Sequence, residues 1–500
     1  MKGFTWVTQH LKLKHVGQYD KFLLTSQTLL VSNEAENTYK WIDWIITENR
    51  ELHFGEKDRV QIHTKGNLDK ISTETLKIRM GAVVEVMEKD LARKLPNKFG
   101  VAFDGWSEHG VHYLAVFAVR DFVPNEGCVL LGFSPFEQED DLLSDQHGLY
   151  LTNLVQHFER CVNNVIFLVG GNCSTNRKFA RDLGIPLIGC NSHKLNLSVN
   201  WFLGMDKRDG NIADAQCTVV QLDCRRLLKV LSTLMSKLKT IKGKAKLQEY
   251  TDWVAIQANE TRWNGNNWMC NQFLEFKEAL KELAAEEGSN ITTEIAELLP
   301  SYADALKISE LTKDLKKFHS ISLLLQKRDG VVNLADVQSL FDKQIADFGD
   351  DFKLYLSPDA EIVNNKFFES GIVKVLRDEL NLSEEENQAL KALELPFIDL
   401  LPEQKNDEGD DNEEGNYGLD ILNDGRKRCR MSTKYIDLRK IPITSNVVER
   451  FFSQVKLNMT NMRNCLLPST LETIMFLKLN KPMVSPMTIQ SALIYICSKP

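Results

Sequence analysis

Five short apolar runs, KFGVAFDGW, HYLAVFAVR, CVLLGFSPF, VIFLVGG and IPLIGC, lie between residues 98 and 190. Runs of this length, rich in Val, Phe and Leu and closed by turn residues, read as buried strands. The first three are joined by short connections, which suits antiparallel hairpin pairing. The last two each follow a helical stretch, DQHGLYLTNLVQHFERC and STNRKFARDLG, and so can run parallel to a neighbour. The chain therefore needs an α/β domain in which three strands in a row precede an α-β-α-β stretch.

Around this domain the pattern changes. Residues 26–94 and about 206–402 carry helical periodicity, as in NQFLEFKEALKELAAEE and ISELTKDLKKFHSISLLLQ, and two further helices, NVVERFFSQVKLNM and PSTLETIMFLKLN, fall in the last 60 residues. Residues 403–418, EQKNDEGDDNEEGNYG, are acidic and nearly without apolar side chains, so 403–435 is read as a linker. GRKRCR, from Gly425 to Arg430, reads as a nuclear-import signal or as a solvated loop. Residues 225–246 hold Arg225, Arg226, Lys229, Lys237, Lys239, Lys242, Lys244 and Lys246 with no acid among them, and leucines near helical spacing, an amphipathic basic helix. Its cations fit a solvated face or phosphate contact.

Composition excludes several classes. At 500 residues and 43% hydrophobic, the chain can hold two or three cored domains. No run approaches the roughly 18 apolar residues of a membrane span, and the start lacks a secretory apolar core. The ten cysteines form no CxxC pair or regular framework and read as thiols of a reducing compartment, cytosol or nucleus. A net charge of -8 argues against a uniformly basic coat but leaves room for local patches. Neither GxGxxG nor GxxxxGK[ST] occurs, which argues against a metabolic enzyme; no small-molecule substrate is expected.

Asp104, in FGVAFDGWSEHG, sits where a buried strand stops, a costly place for a carboxylate without a cation or donor beside it. It also reads as a turn residue before Gly105. The strand order is that of an RNase H-like fold, with the first and fourth strands side by side and parallel. Their carboxyl ends can aim two carboxylates at a pair of divalent ions, the arrangement that activates a water or 3′-hydroxyl in phosphodiester chemistry. Carboxylates are the ligands that Mg²⁺ and Mn²⁺ prefer.

Four blocks then carry a family resemblance. FDGWSEHGVHYLAVFAV, VGGNCSTNRKFARDLGIPLIGCNSHKLNLSVN, TRWNGNNWMCNQFLEFKEAL and YIDLRKIPITSNVVERFFSQVKLNMTNMRNCLLPSTLETIMFLKLN resemble, in order, the signature blocks of the hAT transposase superfamily, over about residues 95–480. The resemblance implies an RNase H-like core in two parts, 95–205 and 436–500, interrupted by a large all-α insertion at 206–402, with an N-terminal helical segment. It implies a catalytic triad of two Asp and one Glu, with Asp104 first and Glu449 third. Glu449 has a second reading, because Asn446 and Glu449 have the spacing of a helix N-cap and its N3 partner.

The middle position of the triad departs from the family. Where the family reads Gly-Asp-Asn, this chain reads Gly170, Gly171, Asn172. Glycine has no side chain to bind a metal, Asn172 is a neutral amide expected to face the other way, and Asp182 lies on the next helix. TWVTQHLKLKHVGQYDKF resembles the second half of a BED-type zinc finger, with His10 and His15 in H-x4-H spacing and no cysteine pair before them. Residues 1–25 are therefore expected to be a finger remnant, with zinc not held, because a structural site needs four ligands.

Other matches speak to binding. Arg262 and Trp263 match a family Arg-Trp whose Trp stacks on unpaired or flipped bases; a core Trp is the other reading. Cys190 and His193 match the family C-x-x-H, for which packing or DNA-end positioning without metal is expected. Phe451, Phe452, Val455, Leu471 and Met475, with Ile474 and Leu477, are candidates for a dimer surface or for the core. The expectation is a nuclear, degenerate transposase-like protein, catalytically inactive, that dimerises and binds DNA, in part through Arg225, Arg226, Lys237, Lys239 and Lys242. Mg²⁺ or Mn²⁺ enters only if activity remains. An interaction protein without DNA affinity and an active metal-dependent transposase are the alternatives.

Overall fold

The protein is seen here as a computed structural model that describes residues 31–108, 110–119, 128–135, 144–205, 217–258, 263–286, 290–327, 331–379, 381–395, 417–425, 434–459 and 467–498. Each apolar run forms a strand: β1 (Phe99–Glu108), β2 (Val111–Val119), β3 (Cys128–Pro135), β4 (Val165–Gly170) and β5 (Leu187–Gly189). They make one five-stranded sheet in the order β3-β2-β1-β4-β5. β1 pairs antiparallel with β2 and β2 with β3, whereas β4 lies parallel to β1 and β5 parallel to β4. The mixed α/β class and the split between hairpin and crossover connections follow from the spacing of the runs.

The N-terminal helices are α1 (Asn33–Thr47), α2 (Asp58–Thr64) and α3 (Thr73–Lys94). Within the sheet region come α4 (Ser144–His157), α5 (Ser174–Leu183) and α6 (Asn191–Phe202). The central helices are α7 (Val219–Lys239), α8 (Ile241–Leu247), α9 (Asn264–Ala284), α10 (Asn290–Leu298), α11 (Tyr302–Leu325), α12 (Leu334–Phe348), α13 (Lys353–Leu356), α14 (Lys366–Leu376) and α15 (Glu384–Leu390). The last are α16 (Tyr417–Gly425), α17 (Asn446–Asn458), α18 (Pro468–Leu479) and α19 (Pro486–Ser498).

Strand alternation sorts the side chains of β1 onto two faces. Phe103 meets Phe179 of α5 edge-on, with ring centroids 4.9 Å apart. Trp106 stacks on Phe452 of α17 at 5.6 Å, and Phe451 packs against Phe117 and Phe133 at 5.6 and 4.9 Å. The sheet is thus sandwiched, with α5 on one face and α17 on the other. Asp104 shares the parity of Trp106 and faces the α17 side. Helices α18 and α19 close the domain by packing on β3 and on α3 and α1.

At five points the structure corrects or completes the sequence reading. The basic stretch 225–246 is two helices: Thr240 is extended, its hydroxyl accepts from the Gly243 amide at 3.1 Å, and Gly243 rides so close to the Lys237 carbonyl that a side chain there would collide. Residues 417–425 of the expected linker form α16, because Leu422 is buried, the Gly418 amide donates to Ser320 Oγ at 3.2 Å and the Tyr417 hydroxyl donates to Asp347 at 2.5 Å. Phe451, Phe452, Val455, Leu471 and Met475 lie in the core of a single chain, with Phe452 the most exposed at 8%. Of the two readings open for them the core reading holds, since α17 and α18 cover the sheet. Asn446 does not cap α17: Ser445 is the N-cap, and the Asn446 amide donates instead to the Leu325 carbonyl at 3.2 Å and Ser192 Oγ at 3.4 Å. Finally, α6 and α19 are helices that the periodicity did not reveal. Among the described residues no helix is long and apolar enough to cross a membrane.

Candidate functional site

The end of β4 lies beside the middle of β1, because the two strands run parallel with Ala102 opposite Val169 while β1 continues to Glu108. Asp104, expected where a strand stops or in a turn, is therefore within β1, opposite Ala115 of β2; what stops there is the full burial of the strand, not the strand. Asp104 follows on β1, and Gly171 follows the last residue of β4. A Cβ built on Gly171 would lie 3.2 Å from Asp104 Oδ1 and 3.6 Å from Oδ2. Position 171 therefore points at the Asp104 carboxylate. Asn172 turns away: its Nδ2 donates to the Cys190 carbonyl at 3.2 Å, and its Oδ1 fills the space over Gly189. Asp182 is remote in role, paired with Lys178 at 3.1 Å on exposed α5 surface.

Glu449 comes from the first turn of α17. Its charge is felt by Asp104, Cys190 and His193, so the four side chains share one electrostatic neighbourhood. The α17 N-terminus is held there by backbone straps. Asn191 donates to the Ile443 carbonyl through its amide nitrogen at 3.2 Å and its Nδ2 at 2.8 Å, and the Cys190 amide donates to the Gly170 carbonyl at 3.0 Å. Asn176 of α5 donates to the Gly171 carbonyl at 3.1 Å and fixes the strand end from the other side. These three asparagines, Asn176, Asn191 and Asn446, position the site. Sequence reasoning did not single out the first two, because an asparagine near a strand end carries no signal of its distant partner.

The electrostatics follow from burial. Loss of solvent pushes the Asp104 acid up to about 6, the Gly105 amide donating to Oδ1 at 3.0 Å works against this, and the Glu449 charge adds to it. Burial lowers His193, with Glu449 opposing, so the imidazole leans to the neutral form. Burial raises the Cys190 thiol against hydrogen bonding with Ser445. Cys190 and His193 thus stand within the electrostatic reach of Glu449 with thiol and imidazole held towards their neutral forms.

A divalent-ion pair does not fit these residues. Asp104 has Glu449 within electrostatic reach, position 171 offers only hydrogen where a further carboxylate would reach Asp104, and among the described residues no group of three His, Cys, Asp or Glu side chains could hold a metal ion. No reaction step is assigned to such a pair.

The expected binding residues divide. Trp263 is 3% exposed and meets Phe318 edge-on at 6.2 Å, so it is a core residue of the helical layer with no face offered to a base. Arg225 donates to the Gly204 carbonyl at 2.8 Å and to Cys217 Sγ at 3.2 Å, Arg226 bridges Asp223 and Asp304, and Lys237 pairs with Glu294. These three serve the fold. Lys239 and Lys242 stay exposed with Lys229 and Lys244. Arg262, His10, His15 and the basic cluster after Gly425 lie outside the described residues. Trp253 and Trp268, 52% and 55% exposed, are aromatic faces that sequence reading passed over.

Neither a family model nor any curated protein matches this chain.

Proposed function

We propose that the chain is a transposase-like protein of the hAT type, built on an RNase H-like core with a helical insertion, whose catalytic centre is disabled at Gly171. The observation that carries this reading is the direction of position 171. What supports a carboxylate triad is Asp104 on a central strand, Glu449 on a helix packed across it and within its electrostatic reach, and a glycine whose side-chain direction meets the Asp104 carboxylate. A strand order of β3-β2-β1-β4-β5 supports the same core.

The retained function is DNA binding, with Lys229, Lys239, Lys242 and Lys244 as phosphate contacts and Trp253 or Trp268 as the stacking face in place of buried Trp263. Dimerisation uses the exposed apolar residues of the C-terminal helices, Leu457, Leu467, Met487 and Ile494, because the five positions first expected there are occupied in the core. The test is cleavage and strand transfer on hairpin or nicked terminal-repeat-like DNA with Mn²⁺. The unaltered chain is expected to be silent, with activity gained by Gly171→Asp. Cleavage by the unaltered chain would overturn the reading.

A further inference from the structure

Helix α5 has two working stripes. Asn176 and Phe179 face the sheet, while Ser174, Arg177 and Arg181, spaced at i, i+3 and i+7, share the opposite stripe. That outer stripe forms one wall of an open cleft of about 1190 Å³, away from the Asp104 pocket. Neither Arg177 nor Arg181 has an ion pair among the described residues. The facing wall is the start of α14 and the helix α15. There Lys366 adds a third cation, and Phe367, 56% exposed, offers an uncovered aromatic ring. Asn365 cannot cap α14, because its Oδ1 accepts from the Leu187 amide at 2.8 Å, which leaves the first-turn amides of α14 without a side-chain cap.

The lining is not uniformly basic. Glu361 and Glu385 stand in the same cleft. A nucleic-acid strand would carry successive phosphates past both carboxylates, at an electrostatic cost. A single phosphorylated small molecule can put its anionic end on the arginines and its hydroxyl or amino donors on the glutamates.

We propose that this cleft binds a free nucleoside mono- or diphosphate, with Arg177 and Arg181 on the phosphoryl oxygens and Phe367 beneath the base. Neither phosphate-loop motif marks it because the arginines and the aromatic come from segments far apart in sequence. The forked guanidinium suits phosphate oxygens, and an exposed phenyl face suits any base. The cleft is independent of the Asp104 reading, since it uses none of that site's residues.

The test is calorimetric titration of the full chain with ADP, adenosine, ribose 5-phosphate, inorganic phosphate and a short oligothymidylate. ADP is expected to bind at least tenfold tighter than each of the other four. The Arg177→Ala/Arg181→Ala double variant is expected to lose at least tenfold in ADP affinity, and Phe367→Ala to bring ADP down towards ribose 5-phosphate. All three positions lie at the surface, so unchanged thermal melting would show that the variants fold. Absence of ADP binding, binding no better than inorganic phosphate, or an oligothymidylate that outcompetes ADP would each overturn the proposal. So would ADP affinity that survives loss of both arginines.

Discussion

Gly171 and Asp104 face each other across two parallel strands, so closely that a Cβ on the glycine would stand 3.2 Å from the aspartate's Oδ1. An aspartate at 171 would therefore lay its carboxylate against another without a cation to separate them. The present chain avoids that repulsion at the cost of a ligand.

Asp104 itself is a stability liability at neutral pH. Burial lifts its acid from 3.8 to about 6. A folded-state value above the unfolded one means that the folded protein binds the proton more tightly; the ionised form then costs stability above pH 6, and the cost vanishes below pH 4. Asp104→Asn should stabilise the fold by on the order of 2 kcal/mol at pH 7.5, and the gain should fade between pH 6 and pH 4. Thermal unfolding of both forms across that range measures it, and a gain that persists at pH 4 would refute the burial account.

Trp263 and the exposed lysines should separate cleanly. Trp263→Ala removes a core ring and should cost about 3–5 kcal/mol of stability in chemical denaturation. The Lys239→Ala/Lys242→Ala/Lys244→Ala variant should stay within about 0.5 kcal/mol of the parent, yet weaken DNA binding and flatten its dependence on salt. Fluorescence anisotropy at several salt concentrations reads the second effect.

The strands were readable because a buried strand in a mixed sheet is a short, nearly unbroken apolar run, and the small residues from Gly170 mark the end of β4. The end of β1 was not, because Asp104 and Gly105 look like a turn, yet the strand runs on through them to Glu108 against β2. The nearness of Asp104 to position 171 was readable from the parallel pairing expected of the first and fourth strands, whereas the nearness of Glu449 was not, since it comes from a helix far along the chain. What escaped depends on partners in other elements. Lys237 looks like a free cation until Glu294 is brought across from α10, and Trp263 looks like a base-stacking face until Phe318 covers it. The break at Thr240 escaped because basic and leucine residues continue through it in helical spacing; it is fixed by a hydroxyl cap and a glycine. The capping reading of Asn446 and Glu449 failed because the helix starts one residue earlier, with Ser445 as N-cap and Asn446 already in the first turn, from where its Nδ2 donates to the Leu325 carbonyl, a contact no local spacing encodes.

Lys194 and Glu369 tie α6, which follows the candidate site, to α14, at 3.2 Å and with the lysine side chain 4% exposed. Lys194→Met alone should cost about 3–5 kcal/mol because it leaves a carboxylate buried without its counter-ion. The paired change Lys194→Met/Glu369→Leu should recover most of that loss. Urea unfolding of the three proteins decides it: equal losses in the single and double variants would mean that packing, not charge, is what the pair supplies.

Mn²⁺ binding followed by electron paramagnetic resonance tests whether position 171 belongs with Asp104 and Glu449 to one proposed carboxylate site. The unaltered chain should hold Mn²⁺ weakly, Gly171→Asp should tighten binding at least tenfold, and Gly171→Asp/Glu449→Gln should lose the gain. Equal Mn²⁺ affinity in the unaltered chain and in Gly171→Asp would contradict the proposal, because position 171 would then not belong to a site with Asp104 and Glu449.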